Sequence, residues 1–201
     1  MRTHDDFMRD LDTSSTTPDE AQSDSDDQSR RKKTRVVHPS AQICRDWMIV
    51  SGNCHYARDK ASFTTYTPAT ATVKSNIFNP YDEIHVAGCG TVHLPVPRAP
   101  NDPSTHVLVL DGVLHIPEAI CNGFNPLLVG SSMSCLRDYW EGADRCGQPM
   151  WFALPFAGLG RLVLGPGLDG ESDLIEGRHY TLSLYISPEE RGAIMGEGMA
   201  Q

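Results

Sequence analysis

Residues 47–56 read WMIVSGNCHY: four apolar residues, Trp47 to Val50, stop at Ser51-Gly52 and are followed by Cys54-His55. An apolar strand ending in a tight Ser-Gly turn can present one reactive side chain at its tip. The reactive types nearby are Cys54 and His55, with Cys44, Cys89 and His93 further along the chain and the carboxylates Asp46, Asp59 and Asp111. A thiol–imidazole pair would give a nucleophile, a Cys/His set a zinc site, and paired carboxylates a general acid and base. Spacing disfavours the first two. Neighbours on a strand point to opposite faces, so Cys54 and His55 cannot serve one another, and no Cys/His pair has zinc-finger spacing. Cys54 then reads as a small buried apolar residue and His55 as a partly buried hydrogen-bonding one. No metal or cofactor is expected: GLGRLVLGPGLDG lacks the Gly-Lys-Ser/Thr of a phosphate loop, and AGCG at 87–90 is no dinucleotide fingerprint.

The elements that must position these residues are short apolar or alternating runs bounded by Gly, Pro and Asn: 47–50, 71–77, 83–94, 105–116, 150–154, 160–164 and 179–186. Their length and β-branched content predict a mostly-β domain, a small barrel or sandwich. The best helix candidate is SSMSCLRDY at 131–139, with capping serines and with Met133 and Leu136 three apart. No internal repeat is visible. After Ser187 the sequence PEERGAIMGEGMAQ predicts a flexible tail, 188–201, in which PEERGAIM could make a short helical turn.

The chain has 201 residues and a formal net charge of −9, which suits one domain with non-globular sequence attached and disfavours nucleic acid as a partner of the whole molecule. Residues 13–29, TSSTTPDEAQSDSDDQS, are polar and acidic; Arg30, Arg31, Lys32, Lys33 and Arg35 then reverse the sign. Such a stretch buries too little surface to offset its ordering entropy, so 1–41 is expected as a disordered tail. The basic run reads as a solvated charge run, or else as a nuclear localisation signal or weak polyanion contact. Six cysteines without C-x-x-C, an acidic N-terminus and no apolar stretch of about 18 residues predict reduced thiols, no membrane span and an intracellular protein of cytoplasm or nucleus.

Five strings in collinear order resemble the retropepsin-like protease domain of Copia-type retrotransposon polyproteins. WMIVSG at 47–52 resembles its W-[ILV]-[ILV]-D-[ST]-G opening, and ARDKASFTTYTP at 57–68 the polar turn after it. VAGCGTVHLPV at 86–96 is similar to its G-x-G-T-V hairpin strand. LVLDGVLHIPEAICNGFNPLLVGSSMSCL at 108–136 and GRLVLGPGLDGESDLIEGRHYTLSLY at 160–185 are similar to its later strands. The resemblance spans roughly 43–187. It implies a closed β-barrel of about six strands with one short helix, occupying 42–187 and working as a homodimer. It also implies that Gly88, Gly90 and Thr91 belong to a flap-like or cleft-lining strand, and that Leu128-Val129-Gly130 threads beside the active-site turn, glycine permitting close backbone approach.

The family's aspartate is absent. Aspartic proteases need two carboxylates sharing one proton, one from each D-[ST]-G turn of the dimer. Here Val50 stands at that position, ahead of Ser51 and Gly52, and the stretch from Gly52 to His55 is one residue short of the family's. Loss of a central catalytic residue costs on the order of 10⁴ in rate. Asp46 lies at the entrance of the strand, Asp59 in a polar turn and Asp111 in a hairpin, so none is placed to substitute. The expectation is a catalytically inactive, retrotransposon-derived domain. Its alternatives are a non-enzymatic dimerisation or peptide-binding module that reuses the former substrate cleft, with a protein or peptide partner, and an active endopeptidase with atypical acids.

Overall fold

The computed structural model describes residues 43–74, 83–167, 170–180 and 182–196. The tail expected over 1–41, including the basic run Arg30–Arg35, lies outside them. Ten strands follow in chain order: β1 (Trp47–Ile49), β2 (Tyr56–Ala57), β3 (Thr65–Lys74), β4 (Glu83–Ala99), β5 (Asp102–His115), β6 (Asn122–Phe124), β7 (Ser134–Cys135), β8 (Trp140–Ala143), β9 (Pro149–Phe156) and β10 (Leu159–Leu162); an α-helix, α1 (Pro188–Met195), comes last.

They form one mixed sheet in the order β3-β4-β5-β2-β6-β1-β10-β9-β8-β7. This corrects the closed retropepsin-like β-barrel. The sheet is open, because closure requires its two end strands to hydrogen-bond to each other, and here β3 and β7 end it without pairing. Each end is blunted in another way. α1 packs against β3 and β4, the Lys74 amide donates to the Glu190 carboxylate at 2.9 Å, and β3 carries Pro68; β7 is only two residues long.

β1 explains why the sheet has a core on each face. Trp47 and Ile49 enter a cluster with Val92, Leu110, Phe124 and Trp151, whereas Met48 and Val50 enter another with Tyr56, Leu114, Leu184 and Ile186. A strand buried on both faces reads as a continuous apolar run, which is what Trp47–Val50 is. β1 runs parallel to β6 (Met48 beside Gly123) and antiparallel to β10 (Met48 beside Arg161).

The β4–β5 hairpin extends further than its apolar pattern suggests. Ladder pairing continues through Pro95 opposite Val107 and Pro97 opposite Thr105 to a two-residue turn at Pro100-Asn101. Two prolines two residues apart place their missing N–H groups on the same edge. That edge of β4 lies beyond the last β3 pair, Thr65 with Thr91, where no described strand needs a donor. The distal hairpin is tied to β9 by the Arg98 guanidinium on the Pro149 carbonyl and by the His106 imidazole on the Met150 carbonyl.

No helix forms over 131–139. A 3-10 turn at Pro126–Val129 precedes β7, and Met133 and Leu136 are both exposed. Two apolar residues make no buried stripe, and the serines serve other groups: Ser131 is buried, its hydroxyl donating to the Pro126 carbonyl and accepting from the Trp151 indole. The helix is instead the PEERGAIM segment. Ser187 and Glu190 form a reciprocal capping box, Pro188 occupies the first turn and Gly196 closes the end at φ +74°. Its single buried side chain, Ile194, enters the Val50-side core. Ile194→Ala is expected to destabilise the protein by about 2–4 kcal/mol, read by urea unfolding, by detaching α1 from β3.

Candidate functional site

The turn after β1 is held from two sides. The Val50 amide donates to the Phe124 carbonyl at 2.9 Å, and the Asn125 side-chain amide donates to the Gly52 carbonyl at 2.9 Å. From the other side comes the segment around Leu184. Gly52, at φ +115°, bridges Leu184, and a Cβ there would lie 2.1 Å from the Leu184 carbonyl oxygen, so only glycine fits. The Asn53 side chain donates to the Ile186 carbonyl and accepts from the Ile186 amide, at 2.7 and 2.9 Å. The Ser51 and Ser183 hydroxyls bond to each other. Val50 is thus 5% exposed, packed in the cluster that contains Cys54, Leu184 and Ile186. The chain's own later segment, 183–186, lies against this turn.

The segment that threads beside this turn is Asn122-Gly123-Phe124. β6 runs parallel to β1, and a Cβ on Gly123 would sit 2.3 Å from the Tyr56 ring. Leu128 and Val129 lie beyond it in the 3-10 turn, with Gly130 as its left-handed cap and open space around its Cα. The apolar-apolar-Gly string marked the wrong glycine for that role. Asn-Gly-Phe carries the close approach without an apolar signal, because Asn122 spends its side chain on the Cys44 carbonyl and the Arg58 amide.

Gly88 and Gly90 lie inside the β3–β4 ladder. The Tyr66 ring crosses Gly88, its hydroxyl reaching the Ala87 carbonyl at 2.8 Å and His115 Nδ1 at 2.9 Å, and a Cβ on Gly90 would meet the Thr65 carbonyl at 2.0 Å. Thr91 donates its hydroxyl to Asp111 at 3.1 Å. The residues joining β3 to β4 lie outside the described set.

The three carboxylates are separately employed. Asp59 accepts from the Cys44 amide at 2.8 Å and from Arg58 at 3.2 Å; buried Asp46 meets Arg161 at 3.4 Å; Asp111, exposed, accepts from Thr91. No carboxylate dyad stands at the turn. Cys54 and His55 do take opposite faces: the thiol reaches the Leu184 carbonyl at 3.5 Å, whereas the imidazole stacks on Phe124 at 5.9 Å. Among the described residues no group of three His, Cys, Asp or Glu is placed to hold a metal, and no helix is long and apolar enough to cross a membrane.

One open concavity does exist, away from Val50. A cleft of about 460 Å³ is bounded on one side by His106, Val107, Leu108, Val109 and Asp111 of β5, and on the other by Leu128, Val129, Met150 and His55. Its inner end is His55, 1% exposed, whose Nδ1 accepts the Asn125 amide at 3.1 Å. That bond leaves the ring proton on Nε2. Burial pushes the imidazole down to about 4, with the Asp111 charge opposing only part of the shift. The cleft therefore combines aliphatic walls, the carboxylate of Asp111 and two imidazoles, of which burial holds that of His55 neutral.

No family model, no curated protein and no solved structure matches this chain. Leu128 and Val129, marked from sequence for the former substrate cleft beside Val50, line this different cleft instead; Val107, Val109, Asp111 and His55 were not singled out for it. Their one sequence signal is the alternation of Val107, Val109 and Asp111 before Gly112, which is common to any half-exposed strand.

Two measurements check the electrostatics. Cys44, Cys54, Cys89 and Cys121 are buried, with the thiols of Cys44 and Cys54 pushed by burial up to about 11 and about 12; Cys135 and Cys146 are exposed. A thiol-reactive disulfide at pH 8 is expected to titrate two thiols quickly in the native protein and all six in denaturant. His55 is neutral when folded but protonates below about 6.5 when unfolded, so its contribution is intact above pH 6.5 and lost as pH falls toward 4. Urea unfolding is expected to show a loss of about 3 kcal/mol over that range, much of it absent in His55→Gln.

Proposed function

We propose that the chain is a catalytically inactive relative of the Copia-type retropepsin-like proteases, acting as a non-enzymatic protein-interaction module. The observation that carries this reading is Val50 itself: the position matching the family's aspartate holds an aliphatic side chain, buried in the same cluster as Leu184 and Ile186. A carboxyl-free turn can neither hold nor deprotonate a water. Further support comes from the strand that leads into the Ser-Gly turn, which pairs in parallel with a glycine-bearing strand, Asn122–Phe124, although the segment that the resemblance implies there was 128–130. The partner in this reading is a protein or peptide, no cofactor is involved, and the residence is cytoplasm or nucleus.

The test is pepstatin-sensitive peptide cleavage between pH 4 and 6. The wild-type chain is expected to show none; sensitive cleavage by it would overturn the proposal. Val50→Asp is expected to remain inactive and to lose about 3 kcal/mol or more of stability, because the carboxyl would be buried among aliphatic groups without a partner.

A further inference from the structure

The cleft beside β5 has an unusual lining. Successive side chains of a strand point to opposite faces, yet His106, Val107, Leu108 and Val109 all border the same space. What four consecutive residues share is the backbone edge. The pairing agrees. β5 is laddered to β4 from Asp102 to His115, but on its other edge β2 meets only Leu114 and His115. From His106 to Asp111 that second edge has no strand partner among the described residues.

We infer that this edge of β5 is a docking site for an extended segment of a partner polypeptide, one with aliphatic side chains at alternate positions and an arginine or lysine at the end that meets Asp111. The inference rests on the reading of the chain as a non-enzymatic interaction module and gives that module its site. Three observations select this occupant. An unpaired strand edge offers alternating N–H and C=O groups, which an added strand satisfies and a small ligand does not. Val107 and Val109, 55% and 46% exposed, and Leu128, 48% exposed, give the cleft aliphatic walls at the two-residue period of a strand. Asp111 is the one carboxylate among the lining residues, beside the imidazole of His55, which burial holds neutral, and that of His106, which is bonded to the Met150 carbonyl; with the chain as a whole at −9, a cationic side chain is matched at Asp111 and an acidic one repelled.

Asp111 also sets where the added strand must stop. The β4–β5 register slips between Gly90 and Val92, and Gly112 there has φ +63°. A bulge of this kind bends the strand and ends regular pairing, after which β2 takes over the edge. About five residues of partner fit along His106 to Leu110, ahead of the bulge, at 3.3–3.4 Å per residue.

The test uses the full-length chain, labelled with ¹⁵N, and three synthetic octapeptides. The parent is acetyl-Arg-Thr-Val-Thr-Val-Thr-Val-Thr-amide; the second carries N-methyl groups on alternate amides; the third has glutamate for arginine. The parent is expected to shift the amide resonances of 106–111 and of 128–129 and to slow hydrogen exchange along 106–111. The N-methylated peptide is expected to bind about tenfold more weakly or worse, having lost at least one ladder bond in competition with water. The glutamate peptide is expected to bind several-fold more weakly, and Asp111→Asn to erase the difference between it and the parent. Val107→Asp with Val109→Asp, both at exposed positions, is expected to abolish binding while the remaining amide spectrum stays in place.

Saturating parent peptide with no response at 106–111, or equal binding of the N-methylated form, overturns the inference. Protection of 106–111 without peptide also overturns it, by assigning the edge to a second copy if concentration-dependent and to the chain's own undescribed segment if not. Any of these outcomes leaves the inactive-module reading standing, because that reading falls only to pepstatin-sensitive cleavage by the wild-type chain.

Discussion

The structure depends on burying β1 on both faces. Three residues of strand separate two hydrophobic clusters, and the alternation of Trp47 and Ile49 with Met48 and Val50 supplies one wall to each. Such a strand must be flanked by partners that leave no backbone group unpaired in the interior, and β6 and β10 do this from either side. The turn that follows inherits the same burial. Once Val50 lies in the second cluster, Ser51 and Gly52 can escape inward packing only by meeting the 183–186 segment, which they do through the Ser183 hydroxyl and the Leu184 bridge. An ionised carboxylate at 50 would have no compensating partner in these surroundings. The aliphatic residue at 50 and the closure of the turn thus follow from the same burial.

An open sheet raises the problem of its edges, and the solutions differ along the chain. β3 is covered by α1, which is fastened by a capping box and by Ile194. β7 is too short to template anything. The distal part of β4 presents Pro95 and Pro97, which have no donor to offer. The second edge of β5 receives none of these treatments: it borders a cleft with aliphatic walls and an exposed carboxylate at one end. Natural sheets seldom leave such an edge flat and apolar without use, and the contrast within one molecule is what gives it weight.

Much of the architecture was legible from residue order. The strand at Trp47–Val50 follows from its uninterrupted apolar run, the β-rich class from the spacing of β-branched runs between Gly and Pro, and the facing of Cys54 and His55 from the period of two. The helix was misplaced for an identifiable reason: Met133 and Leu136 offer a helical spacing but nothing to bury it against, whereas PEERGAIM looks too glycine-rich and polar until Ser187, Glu190 and Pro188 are seen acting together as an N-terminal cap. The prolines of LPVPR read as a strand end, because a sequence does not say which edge of a strand is free.

The sequence by itself determined that the turn after β1 carries no ionisable group at 50, since no arrangement of neighbours can make Val50 ionise, and that the run Trp47–Val50 would be drawn inward. Tertiary structure alone decided that Gly123 rather than Gly130 lies beside β1, that 183–186 bonds to the turn at 51–53, and that the sheet stays open with one β5 edge facing a cleft. The first two are pairings between residues far apart in the chain, Met48 with Gly123 and Gly52 with Leu184. Local pattern records which side chains leave water, but the partner that excludes the water is chosen by the packing of the whole chain.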